Sequence, residues 1–319
     1  MKALLYDRYG GPEVLRVADL PEPRPSRWDC LVRVHAASVN PADWKLMQGQ
    51  WRVATGRRFP RAAGIDFAGS VERTGSAVRR FAAGDRVMGM VNPLVRGSMA
   101  ELVAVPARSL SRAPRNLALE QAAGLPVACA TAYLAMHHRH RRLDGRSVLL
   151  TGAGGGVGHF ALQLAVQAGA QVTAVCSERK AALCRELGAT RVLDYRGTDL
   201  GELGERFDLI LDCASSLGYP TARRLLAPRG EYVFLDTAGR VSPFFGALAT
   251  QLSPGRRMWT FLVTPNGRRG RRLAELFERG ALRVVVGGVY PLADAAEAYR
   301  ESLRGHALGK ILVTPAARA

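Results

Sequence analysis

The chain has 319 residues, of which 48% are hydrophobic and 23% charged, and a formal net charge of +18. That length is too great for one ordinary core, so two domains are expected, and the composition is that of a globular protein. Apolar runs of about 18 residues are absent, which excludes a membrane-spanning helix, and Met1–Asp7 is too polar for a signal peptide core, so a cytoplasmic protein is expected.

From Met1 to about Arg112, short β-rich runs alternate with turn signals. Examples are Cys30–Ala36, Gly69–Thr74 and Arg86–Gly89, punctuated by Pro21, Pro23, Pro25, Pro41, Pro60, Gly64 and Gly84. This spacing predicts an irregular, mostly antiparallel β domain. After Pro114 the texture changes to apolar strands alternating with helices. The strands are Ser147–Thr151, Gln171–Val175, Arg191–Leu193, Asp208–Asp212 and Glu231–Leu235, and one helix runs from about Val157 to Ala168. Such alternation predicts parallel βαβ units with right-handed crossovers and hence a doubly wound sheet. The last forty residues return to a mixed pattern that ends in the strand Lys310–Val313.

The strongest local signal is Thr151-Gly152-Ala153-Gly154-Gly155-Gly156-Val157-Gly158, which follows an apolar strand and opens an amphipathic helix. Glycines there permit a tight turn and close backbone approach to a pyrophosphate, and the helix N-terminus adds free N–H groups and a positive dipole end. Gly154, Gly155, Gly156, Val157 and Gly158 are therefore the candidate phosphate cradle. At the end of the next strand, an NAD-binding chain would place Asp or Glu on the ribose. Here the tip reads Ser177-Glu178-Arg179-Lys180, and a hydroxyl with two cations suits the 2′-phosphate of NADPH. Glu178 argues for NAD if it points inward and is neutral if it is an exposed first-turn residue.

Cysteines 30, 129, 176, 184 and 213 stand far apart without a CxxC pair, which fits reduced thiols acting as small hydrophobes. Of the 45 basic residues only Lys2, Lys45, Lys180 and Lys310 are lysines, so each surviving Lys invites the question of why Arg does not replace it. The basic runs Arg139–Arg142 and Arg268–Arg272 are short and lack a zinc finger or RNA-reading motif. They promise salt-sensitive, sequence-blind attraction rather than a nucleic-acid function. His137-His138-Arg139-His140 is the one metal-like spacing, and an exposed helix end accounts for it.

Several segments together resemble the zinc-less medium-chain dehydrogenase/reductase superfamily, in its quinone oxidoreductase and zeta-crystallin branch. They are Ala37–Lys45, Gly64–Gly69, Gly84–Val87, the glycine loop, Leu187–Ala189 leading to Asp194-Tyr195, Tyr290–Ala298 and Gly305–Lys310. The resemblance implies a Rossmann doubly wound parallel sheet (residues 114–281) inserted in a mostly β GroES-like catalytic domain (1–113 plus 282–319), with NADPH in the interdomain cleft. It further implies that Thr131 lies near the nicotinamide carboxamide and that Ser177, Lys180 and Tyr195 surround the 2′-phosphate end. Cys213, Leu235 and Lys310 are implied to line the rest of the cofactor, and a homodimer is expected, with the apolar run Met258–Val263 extending the sheet. Zinc-dependent members carry Cys near Asn40 and His near Asp66; this chain has neither, so no metal is expected.

Without zinc, no strong Lewis acid is available for a developing alkoxide. Hydride addition to a quinone or an α,β-unsaturated carbonyl spreads charge onto a conjugated oxygen, which needs only modest hydrogen-bond stabilisation. Lys45 is the candidate donor and Asn40 a candidate orienting amide, while Trp44 and Trp51 are candidate walls for an apolar substrate. The rivals are a zinc-less alcohol dehydrogenase, a biosynthetic enoyl reductase, and a cofactor-bound regulatory or RNA-binding protein.

Overall fold

A computed structural model describes residues 1–137, 142–235 and 255–315. In chain order the elements begin with β1 (Lys2–Tyr6), β2 (Leu15–Asp19), β3 (Asp29–Val39), α1 (Pro41–Met47), the single turn α2 (Arg52–Thr55) and β4 (Arg61–Ala62). They continue with β5 (Asp66–Thr74), β6 (Arg86–Met90), β7 (Leu102–Pro106), β8 (Leu110–Arg112), α3 (Leu119–Ala122), a π-helical turn over Leu125–Cys129 and α4 (Ala130–His137). The βα series follows: β9 (Ser147–Thr151), α5 (Gly158–Gln167), β10 (Gln171–Cys176), α6 (Glu178–Glu186), β11 (Arg191–Asp194), β12 (Phe207–Asp212), α7 (Tyr219–Leu225), β13 (Leu226–Phe234) and β14 (Arg257–Trp259). Then come α8 (Gly267–Glu278), β15 (Val286–Pro291), α9 (Ala295–Leu303) and β16 (Lys310–Thr314).

The chain divides into two compact units, one formed by Met1–Ala130 with Val263–Ala319 and the other by Thr131–Leu262. This places 114–130 and 263–281 with the chain ends, where the sequence expectation put them in the insert. Packing explains the difference. Helix α8 buries Leu273 and Phe277, and Asn116 donates its amide to Phe277 O at 2.7 Å. Where α8 begins, Gly267 approaches β8 so closely that a Cβ would meet Leu110 O at 2.2 Å.

In the first unit, β3 is the spine of a largely antiparallel sheet ordered β15-β16-β3-β5-β6-β8, with β7 also on β3. The end of the chain closes on its beginning there: Ile311 pairs with Val39 and Val313 with Ala37. Val32, Val34, Phe67, Val87, Val103 and Leu110 fill one core, and Met47, Met99, Tyr299 and Ile311 belong to a second. Burial of this many large apolar side chains supplies the main driving force for joining two distant chain segments.

The second unit is a six-stranded, wholly parallel sheet ordered β11-β10-β9-β12-β13-β14. Its central strands are apolar throughout, with Val148–Leu150 and Leu209–Leu211 at most 1% exposed, as a sheet covered on both faces requires. The chain winds outward from β9 through β10 to β11, and on the other side from β12 through β13 to β14. The switch point therefore lies between β9 and β12, where the crevice at the carboxyl ends of the strands binds ligands in such sheets. The expected strand Met258–Val263 is shorter: β14 ends at Trp259, after pairing with Glu231–Val233.

Candidate cofactor and active site

The turn after β9 is built for close approach. Gly152 has φ of 61°, which side chains rarely adopt, and a Cβ on Gly158 would sit 2.1 Å from Gly152 O. Gly155 N–H donates to Gly152 O at 2.9 Å, and Gly156 and Val157 lead into α5. Gly154 lies against the Lys180 side chain, whose Cβ is 2.9 Å from where a Gly154 Cβ would be. The turn thus brings the phosphate cradle and the basic tip of the second strand together.

At that tip, Ser177 caps α6, yet its hydroxyl makes no capping bond. Lys180 is buried, and burial, followed by the nearby Arg179 charge, depresses its ammonium pKa. An anionic phosphate would offset both costs. Glu178 and Arg179, the first two residues after Ser177, are both exposed. Tyr195 N–H donates to Cys176 O at 3.3 Å, setting its half-exposed ring beside the same strand end, with Arg196 stacked over it. Hydroxyl, ammonium and aromatic edge fit a 2′-phosphorylated adenosine. Cys213 and Leu235, both half-buried, directly follow β12 and β13 at the carboxyl edge of the sheet, and Thr131 is buried in α4.

The first unit holds a different arrangement, a polar cluster inside apolar surroundings. Lys310, 2% exposed at the start of β16, donates to Asn40 Oδ1 at 2.7 Å and to Val39 O at 3.2 Å. The Asn40 amide in turn donates to Asp66 Oδ1 at 3.1 Å. Ser38 Oγ donates to the same oxygen at 2.7 Å, and Val127 N–H to Asp66 Oδ2 at 3.2 Å. Asp43 Oδ2 accepts from Asn40 N–H at 2.7 Å. Burial raises the carboxyl pKa of Asp66, against the pull of Lys310, and holds that of Asp43 well above the usual carboxylate range, helped by the Asp66 charge. Burial depresses Lys310, and the two carboxyls oppose that shift.

This cluster changes the placement expected for three residues. Lys310 points into the interior, where its ammonium bonds Asn40 and Val39 and faces the buried Asp66 carboxyl. Asn40 is only 2% exposed, and its amide is engaged on both sides. Trp44 packs against the core and donates its indole N–H to Ser302 Oγ at 3.2 Å, so it braces α1 on α9. Lys45, half-buried in the last turn of α1, holds its ammonium 5.3 Å from the Trp44 ring centre. Trp51 is half-buried just before α2.

Two family models match the chain. One, described as an alcohol dehydrogenase GroES-like domain, covers residues 26–115, and one described as a zinc-binding dehydrogenase covers 187–313. A chloroplastic quinone oxidoreductase of Triphysaria versicolor is 34% identical over 99% of this chain and 98% of its own. The chain belongs to the quinone oxidoreductase branch of the medium-chain dehydrogenase/reductase superfamily. The solved quinone oxidoreductase of Coxiella burnetii superposes with a TM-score of 0.90 at 31% identity, over 99% of both chains. An Arabidopsis thaliana protein named as a chloroplastic NADPH-dependent alkenal/one oxidoreductase is 34% identical over 99% of this chain and 80% of its own.

The zinc-binding label of one matching model invites a test of the donor set in this branch member. The two positions where zinc-dependent relatives carry ligands, Asn40 and Asp66, are hydrogen-bonded to each other and face the Lys310 ammonium. A dication there would displace those bonds and meet a cation, so the residues do not fit zinc. Among the described residues no group of three or more His, Cys, Asp or Glu is arranged to hold a metal. His137 stacks on Tyr133 at 4.1 Å, and the rest of the His137–His140 run lies outside the described residues. Sequence inspection passed over Ser38, Asp43, Thr151 and Asp212 as site-shaping groups. For Ser38, Thr151 and Asp212 the available signal was a polar residue at or next to the end of an apolar strand, which a period-two pattern otherwise hides; for Asp43 it was the position three residues after the helix-capping Asn40.

Proposed function

We propose that this chain is an NADPH-dependent, zinc-independent reductase of quinones or α,β-unsaturated carbonyls. The observation that carries it is the junction of the Gly152–Gly158 turn with Ser177 and buried Lys180, a cradle for a dinucleotide bearing a 2′-phosphate. NADPH, when bound, supplies the hydride. Ser177 and Lys180 hold its 2′-phosphate and Tyr195 flanks its adenosine, while the turn and the α5 N-terminus receive the pyrophosphate. Thr131, Cys213 and Leu235 serve the remainder. The similarity to a named alkenal/one oxidoreductase and to named quinone oxidoreductases supports a conjugated acceptor.

Lys45 donates a hydrogen bond to the substrate oxygen as it gains charge, and solvent protonates the product carbon or oxygen. Trp51 borders the apolar substrate. Asn40 and Lys310 act from within by fixing the start of α1, the helix whose last turn carries Lys45. The protein works as a homodimer, its subunits meeting at the β14 edge; a monomeric mass in solution scattering would contradict that. Steady-state rates with Lys45→Met test the catalytic assignment. Loss of a donor to a developing oxyanion lowers kcat by about 10²–10³, and an unchanged kcat removes Lys45 from the reaction.

A further inference from the structure

At the switch point of the parallel sheet stands a carboxylate with no assigned task. Asp212, the last residue of β12, is fully buried and pairs across the sheet with Thr151, the last residue of β9. Its Oδ1 accepts from Thr151 Oγ1 at 2.6 Å and from Ser216 N–H at 3.1 Å. Its Oδ2 accepts from Leu217 N–H at 3.0 Å and lies 3.0 Å from the Tyr232 hydroxyl, which also bonds Leu217 O at 2.7 Å. Thr151 Oγ1 accepts in return from Ala214 N–H at 3.3 Å.

A buried carboxylate of this kind is tolerated because so many donors share its charge. What they hold in place is specific. The segment Cys213–Leu217 is wrapped around the carboxylate tightly enough that Ser215 takes a left-handed φ of 54°. Gly152, which opens the glycine turn, faces this segment: a Cβ there would lie 3.3 Å from Ala214 N. One side chain therefore sets the spacing between the two strand ends flanking the crevice and the shape of the wall on the β12 side. The 2′-phosphate cradle lies on the opposite side of β9, at the end of β10. The part of the dinucleotide beyond the pyrophosphate must then run over the β12 end.

We propose that Asp212, acting through Thr151 and the Cys213–Leu217 segment, is the positioning residue for the nicotinamide-ribose half of NADPH. It rests on the NADPH reading above. It touches no cofactor atom; it fixes the wall against which that half lies. The adenosine half, held by Ser177 and Lys180, does not depend on it.

The test compares two probes by calorimetry: NADPH, and adenosine 2′,5′-bisphosphate, which carries only the adenosine half. The variants are Asp212→Asn, Thr151→Val and Thr151→Ser, each checked for a cooperative thermal transition. Asp212→Asn and Thr151→Val are expected to weaken NADPH by about tenfold or more. Both should leave the bisphosphate within about twofold of the unaltered protein. Thr151→Ser, which keeps the hydroxyl, restores NADPH binding. If Asp212→Asn does not fold, Thr151→Val carries the comparison, since it removes one hydroxyl at nearly constant volume. Equal weakening of both probes would show a merely structural role, and unchanged NADPH affinity would show none; either result overturns the proposal. An unaltered protein that binds neither probe overturns the NADPH reading itself, and the proposal with it.

Discussion

Lys310 shows how much one buried side chain can organise. Its ammonium is the counter-charge for Asp66 and the partner of Asn40, so Lys310→Met leaves a carboxylate buried without compensation. A loss of about 3–5 kcal/mol in urea unfolding free energy is expected; a loss below about 1 kcal/mol would show that the cluster is not ionic. Asp43 adds a pH dependence. Its carboxyl is held well above the ordinary 3.8, so the folded chain keeps a proton that the unfolded chain has released. That contribution is complete below the ordinary value and is lost as pH rises toward the folded value. Asp43→Asn mimics the protonated form, so the stability of the unaltered protein relative to this variant should fall as pH rises above the ordinary carboxylate range toward the folded value. Of the scarce lysines, Lys180 and Lys310 are buried and Lys45 half-buried, where a wider guanidinium does not substitute simply. The inward turn of Asn40 and Lys310 was not legible, because strand register decides which face a residue takes, and neighbours 270 positions away set it.

At the scale of elements, the glycine turn and the tip of β10 act together. Gly158→Ala forces a methyl against a backbone oxygen and should cost about 3 kcal/mol or abolish NADPH binding outright, as thermal unfolding and calorimetry would show. Lys180→Met preserves the buried stem and removes the charge. KM for NADPH should rise by about 10–100-fold while that for NADH stays nearly unchanged; equal effects on both cofactors would detach Lys180 from the 2′-phosphate. These elements were readable in advance because strand, glycine run and helix follow one another without a break, and local rules govern each. The strand expected over Met258–Val263 was too long because apolar, β-branched residues look the same whether or not they join a ladder. Where the inserted unit begins and ends was likewise hidden, since the packing of α8 on β8 leaves no local mark.

For the whole molecule, the two units are matched to different tasks. The parallel sheet offers a dinucleotide crevice, and the antiparallel unit ties both chain ends into one body around a buried ionic cluster. The +18 charge is spread over the sequence without a reading element, so retention on DNA at low salt should vanish steeply as salt rises and show no sequence preference. Fold class was legible from the alternation of strand and helix periods, whereas the acceptor was not, because it depends on loop shapes that no periodicity encodes.

The central claim is tested most directly by following the near-ultraviolet absorbance of NADPH with the purified protein, a panel of quinones, enones and simple ketones, and a strong zinc chelator. Oxidation by a quinone or enone that is indifferent to the chelator, and much faster than with NADH or with simple ketones, is the predicted result. Tight NADPH binding without turnover on any acceptor, or activity that disappears with the chelator, would contradict it.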